Sequence, residues 1–357
     1  MIRPMIRCFT MTLMVLALCG CDASPRTQKN SRPVPAVVTE TLHTRATTVL
    51  REGTRSDQAI VRANAIEMME SETELLRDAI LRGVVDPNEG VRFVSVMALG
   101  KRRLCGSIRM VRPLLDDPSP SVRAAAIFSL VVCGDEDVDQ TPLAGMVLSQ
   151  NRATRANAAL VLSEIGNPTA KPLLREAMKQ PLLGDNAEAI RTSELGLAAA
   201  LVRLGDRRQL EMIRAAFFAP ASQGELTALA SQMAGRLNDR TLVPAMGALA
   251  MASGPRQAGP ELRLIAAEAL GRIDSEMAMP GLAAEYYNHW IPEVRMQAAL
   301  VLSWDRSPLG IRTLEKMLDD PNERVRISAA GAILRRKNGR VPKSPIHSKP
   351  DSIPAID

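Results

Sequence analysis

Apolar residues recur along this chain at helical spacing. Between Val122 and Cys133 they fall at i, i+3, i+4, i+7, i+8 and i+11, and the stretch from Leu262 to Ile273 repeats the pattern. This spacing gathers the apolar side chains on one face of a helix. The residue at i+4 is alanine in both stretches, so a neighbouring helix can approach closely. We therefore predict helices packed side by side.

The sequence also repeats with a period much longer than that of a helix. The motif Asp-Pro-x-x-x-Val-Arg occurs at 86–92, 117–123 and 320–326, and weaker copies extend the series. The nine units, numbered one to nine, align on Arg62, Arg92, Arg123, Arg155, Glu194, Thr227, Arg263, Arg295 and Arg326. Their spacings are 30, 31, 32, 39, 33, 36, 32 and 31 residues, the period of a helical hairpin array.

Each unit contains start and stop signals for helices. In Asp-Pro the aspartate is expected as N-cap and the proline as first helical residue. Gly-Asn-Pro at 166–168 and Leu-Gly-Asp at 204–206 should end the first helix of their hairpins, and a second helix is expected over 170–179. Each unit is thus predicted to be a pair of helices.

The motif and its period resemble HEAT-like repeats of the phycobilisome-lyase type, over roughly residues 37–334. The resemblance implies an all-α fold, an α-solenoid of about nine hairpins. It also implies a non-catalytic protein-interaction scaffold, which would offer a long, rigid surface. One branch of that class handles bilin chromophores, so a bilin-lyase-like enzyme or enzyme accessory is an alternative. An assembly factor for an envelope secretion, pilus or transport complex is another.

The first twenty residues have the pattern of a secretory signal. Two arginines precede an apolar run at 8–18 that is too short to cross a bilayer. The sequence Leu18-Cys19-Gly20-Cys21 resembles the lipobox of bacterial lipoproteins, which implies that Cys21 carries a diacylglyceryl group. Cys19 fits less well because the bulky Leu18 precedes it. We expect residues 1–20 to be a lipoprotein signal peptide.

This address implies a place in the cell envelope. Asp22 follows the cysteine and matches the retention rule for the inner membrane, whose periplasmic face is the expected site; the outer membrane is the alternative. Residues 21–36 contain three prolines and no apolar cluster, and are predicted to be a flexible tether. Residues 335–357 are predicted to be a disordered, basic, proline-rich tail.

Charge separates the repeats from the termini. Of the formal net charge of +6, the signal holds +2, the tether +2 and the tail +4, which leaves the repeats at about −2. A nucleic-acid partner would need a basic groove on the folded part, so none is expected. The partners predicted are an unidentified protein or peptide and, through the lipid, a membrane.

Little in the sequence points to catalysis. The three histidines lie far apart at 43, 289 and 347, and there is no Cys-x-x-Cys, Gly-x-Ser-x-Gly, Walker or His-Glu-x-x-His motif. No catalytic residue, metal, cofactor or small-molecule substrate is predicted. Cys105 and Cys133 remain after the signal, and either a disulfide in an oxidising compartment or a small core side chain fits them.

Arginine occupies seven of the nine aligned positions. These are Arg62, Arg92, Arg123, Arg155, Arg263, Arg295 and Arg326. On stacked helices they would form a ladder, and with aspartates at the caps we interpret it as structural. A ladder that binds phosphate or carboxylate groups is the alternative.

One edge of the array is the predicted binding surface. The longest units carry extra residues at 179–192 and 250–261, both before the first helix of a hairpin. Near the equivalent point of unit eight lie four rings: Tyr286, Tyr287, His289 and Trp290. The tyrosines align with core positions, whereas Trp290 falls in a turn and is the candidate anchor. The pair Phe217-Phe218 is expected to pack inside.

Overall fold

The chain folds as an all-α solenoid. The computed structural model describes residues 36–69, 73–180, 182–184, 186–253 and 257–338, and within them there is no strand. The predictions at Cys21 and Asp22, the signal peptide, residues 21–35 of the predicted tether and residues 339–357 of the predicted tail lie outside the described residues. In the described part no helix is both long enough and apolar enough to cross a membrane.

The helices alternate between an inner and an outer layer. In chain order they are α1 (Ala36–Gly53), α2 (Ala59–Met68), α3 (Thr73–Gly83), α4 (Glu89–Lys101), α5 (Pro120–Val132), α6 (Pro142–Val147), α7 (Arg152–Ile165), α8 (Lys171–Lys179), α9 (Ala187–Arg203), α10 (Leu210–Phe217), α11 (Gly224–Leu237), α12 (Val243–Met251), α13 (Pro260–Ile273), α14 (Pro280–Tyr286), α15 (Pro292–Leu302), α16 (Pro308–Met317) and α17 (Glu323–Asn338). The inner layer consists of α2, α4, α5, α7, α9, α11, α13, α15 and α17. In unit two, 3₁₀ turns at Cys105–Met110 and Arg112–Asp116 replace the outer helix.

The helices start later than the Asp-Pro signal predicts. In unit two the Asp86 carboxylate accepts the Asn88 amide at 2.9 Å and so forms a turn. Asn88 is the actual N-cap, since its side chain accepts the amides of Gly90 and Val91. The helix therefore begins two residues after Pro87. The stop signals act as predicted, because Gly166 and Gly205 have φ of 77° and 96°, a conformation that glycine adopts without strain.

The inner helices run parallel and touch closely. The Ser129 hydroxyl of α5 donates to the Val96 carbonyl of α4 at 2.6 Å. A Cβ atom on Gly100 would lie 2.6 Å from the Phe128 ring, so only glycine allows this approach. Alanines such as Ala125, Ala158 and Ala266 are fully buried along the same seams. Small side chains thus set the spacing of the inner layer.

The array closes into a ring. Helix α17 of unit nine packs against α2 of unit one and against α1, which precedes that unit. A Cβ on Gly331 would come within 2.7 Å of the Met68 Cβ, which shows how tightly the two ends meet. At the rim of this junction Arg45 donates two hydrogen bonds to Asp319, at 2.9 and 3.0 Å. The solenoid is therefore closed, whereas a long, extended surface was expected.

Two local features bear on predictions made from the sequence: the state of the two cysteines and the start of the tail. Cys105 and Cys133 form a disulfide with a Cα–Cα distance of 5.4 Å, which links the 3₁₀ turn of unit two to the end of α5 in unit three. Helix α17 continues to Asn338, four residues into the predicted tail. Its Arg336 donates to the Leu302 carbonyl at 3.2 Å, and this contact with unit eight extends the helix past residue 334.

Candidate interaction surfaces

The aligned arginines reach forward to the next unit. Arg62 donates to both oxygens of Asp86 at 2.8 Å, and Arg92 does the same to Asp117 at 2.8 and 2.9 Å. The third such pair is Arg295 with Asp320, at 2.7 and 2.8 Å. Each of these arginines also donates Nη1 to the carbonyl six residues before it. One guanidinium thus ties its own turn to the turn of the following hairpin.

The pKa shifts in these pairs indicate a structural role. Burial alone would raise the pKa of Asp117, but hydrogen bonds from Arg92 and from the Ser119 amide outweigh it and lower that pKa below its usual value. The same hydrogen bond raises the pKa of Arg92. Both oxygens of the carboxylate are already used, so the pair offers no free site to a ligand.

One residue of the next unit decides whether an aligned arginine pairs with a carboxylate. The partner stands six positions before the aligned residue of the next unit, and it is aspartate in units two, three and nine. Where this position is Ser149 or His289, the arginine of the preceding unit has no carboxylate there. Arg263 turns instead to the Tyr286 hydroxyl at 2.7 Å and the Ala250 carbonyl at 3.0 Å.

The remaining aligned arginines bind carbonyls. Arg123 and Arg326 donate to the carbonyls of their own turns at 2.7 and 2.8 Å. Arg155 is buried and donates to the carbonyls of Ser149 and Gln180, at 2.9 and 2.7 Å, while its Nη2 atom has no partner. Burial lowers its pKa. The ladder is therefore one of turn contacts, with carboxylates at three of its seven steps.

Three of the four predicted binding residues in unit eight serve the fold. Tyr286 holds Arg263, as described above, and Tyr287 lies under the Lys316 ammonium at 5.6 Å. His289 stands at the aspartate position of its turn, and its Nδ1 accepts the Ile291 amide at 3.2 Å. This hydrogen bond is the one that Asp86 makes in unit two. The histidine replaces the aspartate in the turn.

Trp290 is different, because its side chain is 82% exposed. It is one of four exposed apolar residues that lie in consecutive units, each in the segment before an inner helix. We call this set the apolar edge: Leu183, Phe218, Met251 and Trp290, with exposures of 78%, 68%, 73% and 82%. Soluble surfaces seldom expose large apolar residues in such a row. The row runs through units five to eight, where the sequence analysis places the binding edge.

Phe218 departs from the expectation for its pair. Phe217 is buried, and Phe218 stands edge-on to it with ring centroids 5.1 Å apart, facing solvent. Helix α10 ends at Phe217, so the next side chain points out of the hairpin. The sequence gives no signal for this, because two adjacent phenylalanines look alike. Their place relative to the helix end decides which one is inside.

Comparison with known proteins bears on the fold. The family model described as HEAT repeats matches residues 108–193 and 256–334. HEAT repeats occupy two regions of this chain. The match is to HEAT repeats in general and does not single out the lyase type. It leaves out residues 1–107, which include the motif at 86–92, and residues 194–255, which include the two units that lack the aligned arginine.

Comparisons with whole proteins add little about activity. The chain is similar to human deoxyhypusine hydroxylase, solved in complex with glycerol, with 19% identity and a TM-score of 0.35. The alignment covers 76% of this chain and 99% of that one. So low a TM-score carries no argument about function. No curated protein matches the sequence. Among the described residues no cluster of three or more histidine, cysteine or carboxylate side chains has the arrangement of a metal site.

Proposed function

We propose that this protein is a non-catalytic scaffold of the cell envelope, fixed to a membrane by a lipid on Cys21, which binds a protein partner through the apolar edge. The observation that carries the proposal is the row of exposed apolar side chains in four consecutive units. Trp290 in particular projects from a turn that Arg295 holds rigid through the carbonyls of His289 and Trp290, at 2.7 and 3.3 Å. Rigid aromatic side chains are typical anchors of protein interfaces.

The repeat architecture supports a scaffold. The aligned arginines are occupied by the fold, and the ring keeps the four loops of the apolar edge on one rigid frame. Binding residues presented on a rigid frame lose little conformational entropy when a partner docks. A scaffold requires only binding residues on a rigid frame. Its specificity for a partner then depends on which side chains the loops carry.

The disulfide supports export. Cys105 and Cys133 lie within bonding distance in adjacent units, and disulfides persist in oxidising compartments such as the bacterial periplasm. This agrees with the signal pattern at residues 1–20 and with Cys21 as the anchor. Two or more acyl chains would hold the protein firmly, at about 0.8 kcal/mol per buried methylene.

The apolar edge is tested by site-specific photo-crosslinking in the native host. A photoreactive residue placed at 290 or 218 should yield the same protein adduct, and the double variant Trp290→Ser, Phe218→Ser should abolish adducts formed from position 251. Position 312 is the matched control, since Arg312 is exposed in the middle of the outer helix α16, away from both ends of the inner helices. Equal adducts from position 312, or none from the apolar edge, would refute the proposal.

The anchor is tested separately by fractionation. Cys21→Ala should leave unprocessed precursor and remove the protein from the membrane fraction, whereas Cys19→Ala should leave its distribution unchanged. A Cys21→Ala protein that still fractionates with the membrane would contradict the lipid anchor. A non-reducing gel of the native protein should in addition show the bond between Cys105 and Cys133.

A further inference from the structure

A second group of side chains meets at the other end of the inner helices. Nine residues after the aligned position, the last turns of these helices carry a set that we call the C-terminal cluster: Lys101, Glu164, Arg203, Arg236, Arg272 and Arg335. Because the inner helices are parallel and the ring is closed, these side chains come together. The apolar edge lies at the opposite end of the same helices.

One part of the cluster is internally neutralised. Glu164 of α7 pairs with Lys101 of α4 at 3.6 Å and also with Arg203 of α9. The pair with Lys101 passes over unit three, so the side chains cross the inside of the ring. Burial would raise the pKa of Glu164, but the two cations outweigh it and lower that pKa. Glu164 is thus a fixed anion with its partners in place.

A second part surrounds a tryptophan. Trp304 follows α15, and the guanidinium groups of Arg272 and Arg335 lie 4.9 and 5.2 Å from the centroid of its ring. Its indole Nε1 donates to Glu268 at 3.0 Å, and Arg272 donates to the same oxygen at 3.0 Å. Glu268 and Trp304 are both buried. This arrangement fixes the position of Arg272.

Arg236 stands between these two parts without a partner of its own. It occupies the position between Arg203 and Arg272 in three consecutive units, and in the described part of the chain it makes no hydrogen bond or ion pair. Burial is the largest cause that lowers the pKa of Arg236. Repulsion by Arg272 and Arg203 lowers this pKa further, whereas attraction by Glu268 and Glu67 raises it. The side chain nevertheless reaches solvent. The guanidinium is therefore surrounded by protein but open to a ligand.

Helix capping explains only part of this concentration of charge. The C-terminal ends of helices carry partial negative charge and attract cations. Arg103 acts in this way, since it donates to the Val132 carbonyl at 3.3 Å, and so does Arg336 with the Leu302 carbonyl. Arg236 donates to no carbonyl. Capping therefore explains why cations gather at this end but leaves the five donors of Arg236 unused.

We propose that the C-terminal cluster binds an acidic peptide segment of a partner protein, with one carboxylate held by Arg236 between Arg203 and Arg272. Guanidinium groups bind carboxylates through paired hydrogen bonds, and Arg236 has both edges free. Neighbouring inner helices lie about 8–10 Å apart, a span of about three residues of an extended chain. Because side chains such as Lys101 and Glu164 meet across the inside of the ring, the occupant that we propose is an extended segment and not a folded domain.

The test is fluorescence anisotropy with the full chain in detergent and a labelled peptide of six glutamates flanked by Gly-Ser. The wild type should bind it, bind the matching glutamine peptide at least about tenfold more weakly, and lose affinity as salt rises. Arg236→Gln should weaken binding at least about tenfold, and Arg236→Lys should recover part of the loss. Arg240→Gln, an exposed arginine in the following turn, should stay within about twofold.

Arg236 holds no other residue, so Arg236→Gln should melt at the same temperature as the wild type or slightly above it. Equal binding by Arg236→Gln and wild type, or equal losses in Arg236→Gln and Arg240→Gln, would overturn the proposal. So would binding of inorganic phosphate without binding of the peptide, which would make the cluster a site for small anions. The apolar edge takes no part in these measurements, so either proposal can fail alone.

Discussion

Units five and six differ from units one, two and eight in how their hairpins are held. In units one, two and eight, an inner-helix arginine binds the aspartate of the next turn, as Arg92 binds Asp117. Units five and six carry Glu194 and Thr227 at that position. There the arginines come from outer helices instead, and Arg175 and Arg214 clasp the aspartates that follow α9 and α11. In these two units the paired carboxylate lies at the C-terminal end of the inner helix, as Asp135 also does after α5 with Arg112.

The difference shows where the repeat is free to vary. The two units that lack the aligned arginine supply Phe218 to the apolar edge and Arg203 and Arg236 to the C-terminal cluster. In a repeat array the consensus residues maintain the packing, and departures from them mark positions with another role. The middle units retain the packing by a second set of ion pairs and carry distinctive side chains on both faces.

The largest expected effect is on the unfolding free energy, and it should differ between variants of two aligned arginines. Arg92→Met should cost about 3 kcal/mol of unfolding free energy, because it leaves the buried Asp117 carboxylate without its partner. Arg155→Met should cost about 2 kcal/mol less, because Arg155 binds only carbonyls and leaves no carboxylate behind. Urea unfolding of both variants measures this, and equal losses would show that the carboxylate is not what matters.

A smaller effect on stability is expected at the junction where unit nine packs against unit one. Gly331→Leu should cost about 2 kcal/mol, because its side chain would enter the space of Met68. Gly247 of α12 has open space around its Cβ direction, so Gly247→Leu should be neutral or slightly stabilising. Thermal unfolding gives the energies, and X-ray scattering should show a larger radius for Gly331→Leu alone. An unchanged radius and stability would mean that the ring does not close in solution.

The smallest effect tests the middle units through pH. Hydrogen bonding from Arg175 lowers the pKa of Asp206 to about 2 against the cost of burial, with help from Arg208. Because the folded pKa is lowered, the extra stability is present above about pH 4 and is lost as the pH falls towards 2. Asp206→Asn should therefore cost about 1 kcal/mol at pH 7, since Arg175 is partly exposed, and little near pH 2.

The control for this titration is Glu276→Gln, which removes an exposed carboxylate without an ion pair in the described structure. Its unfolding free energy should follow that of the wild type across the pH range. A constant loss in Asp206→Asn from pH 7 to pH 2 would show that the carboxylate contributes through its shape and not through its charge.

The sequence predicts the hairpins well because their signals are local. Asp-Pro-x-x-x-Val-Arg marks the turn in three units and weaker copies mark others, although the Asp86 carboxylate accepts the Asn88 amide and so shifts the helix start. The arginine pairs could also have been derived, since they require only an aspartate six positions before the next aligned residue. Ring closure could not, because it depends on small rotations summed over nine units, and Gly331 shows no sign of it in the sequence. The C-terminal cluster needs that closure to form.

Closure also changes what the chain termini mean for this molecule. An open solenoid has two end units with one neighbour each, and such arrays fray from their ends. Here α17 packs on α1 and α2, so every hairpin has two neighbours. The backbone could then be joined across the gap from unit nine to unit one and opened at another loop, such as the turn after Gly134. Such a circular permutant should fold to the same ring.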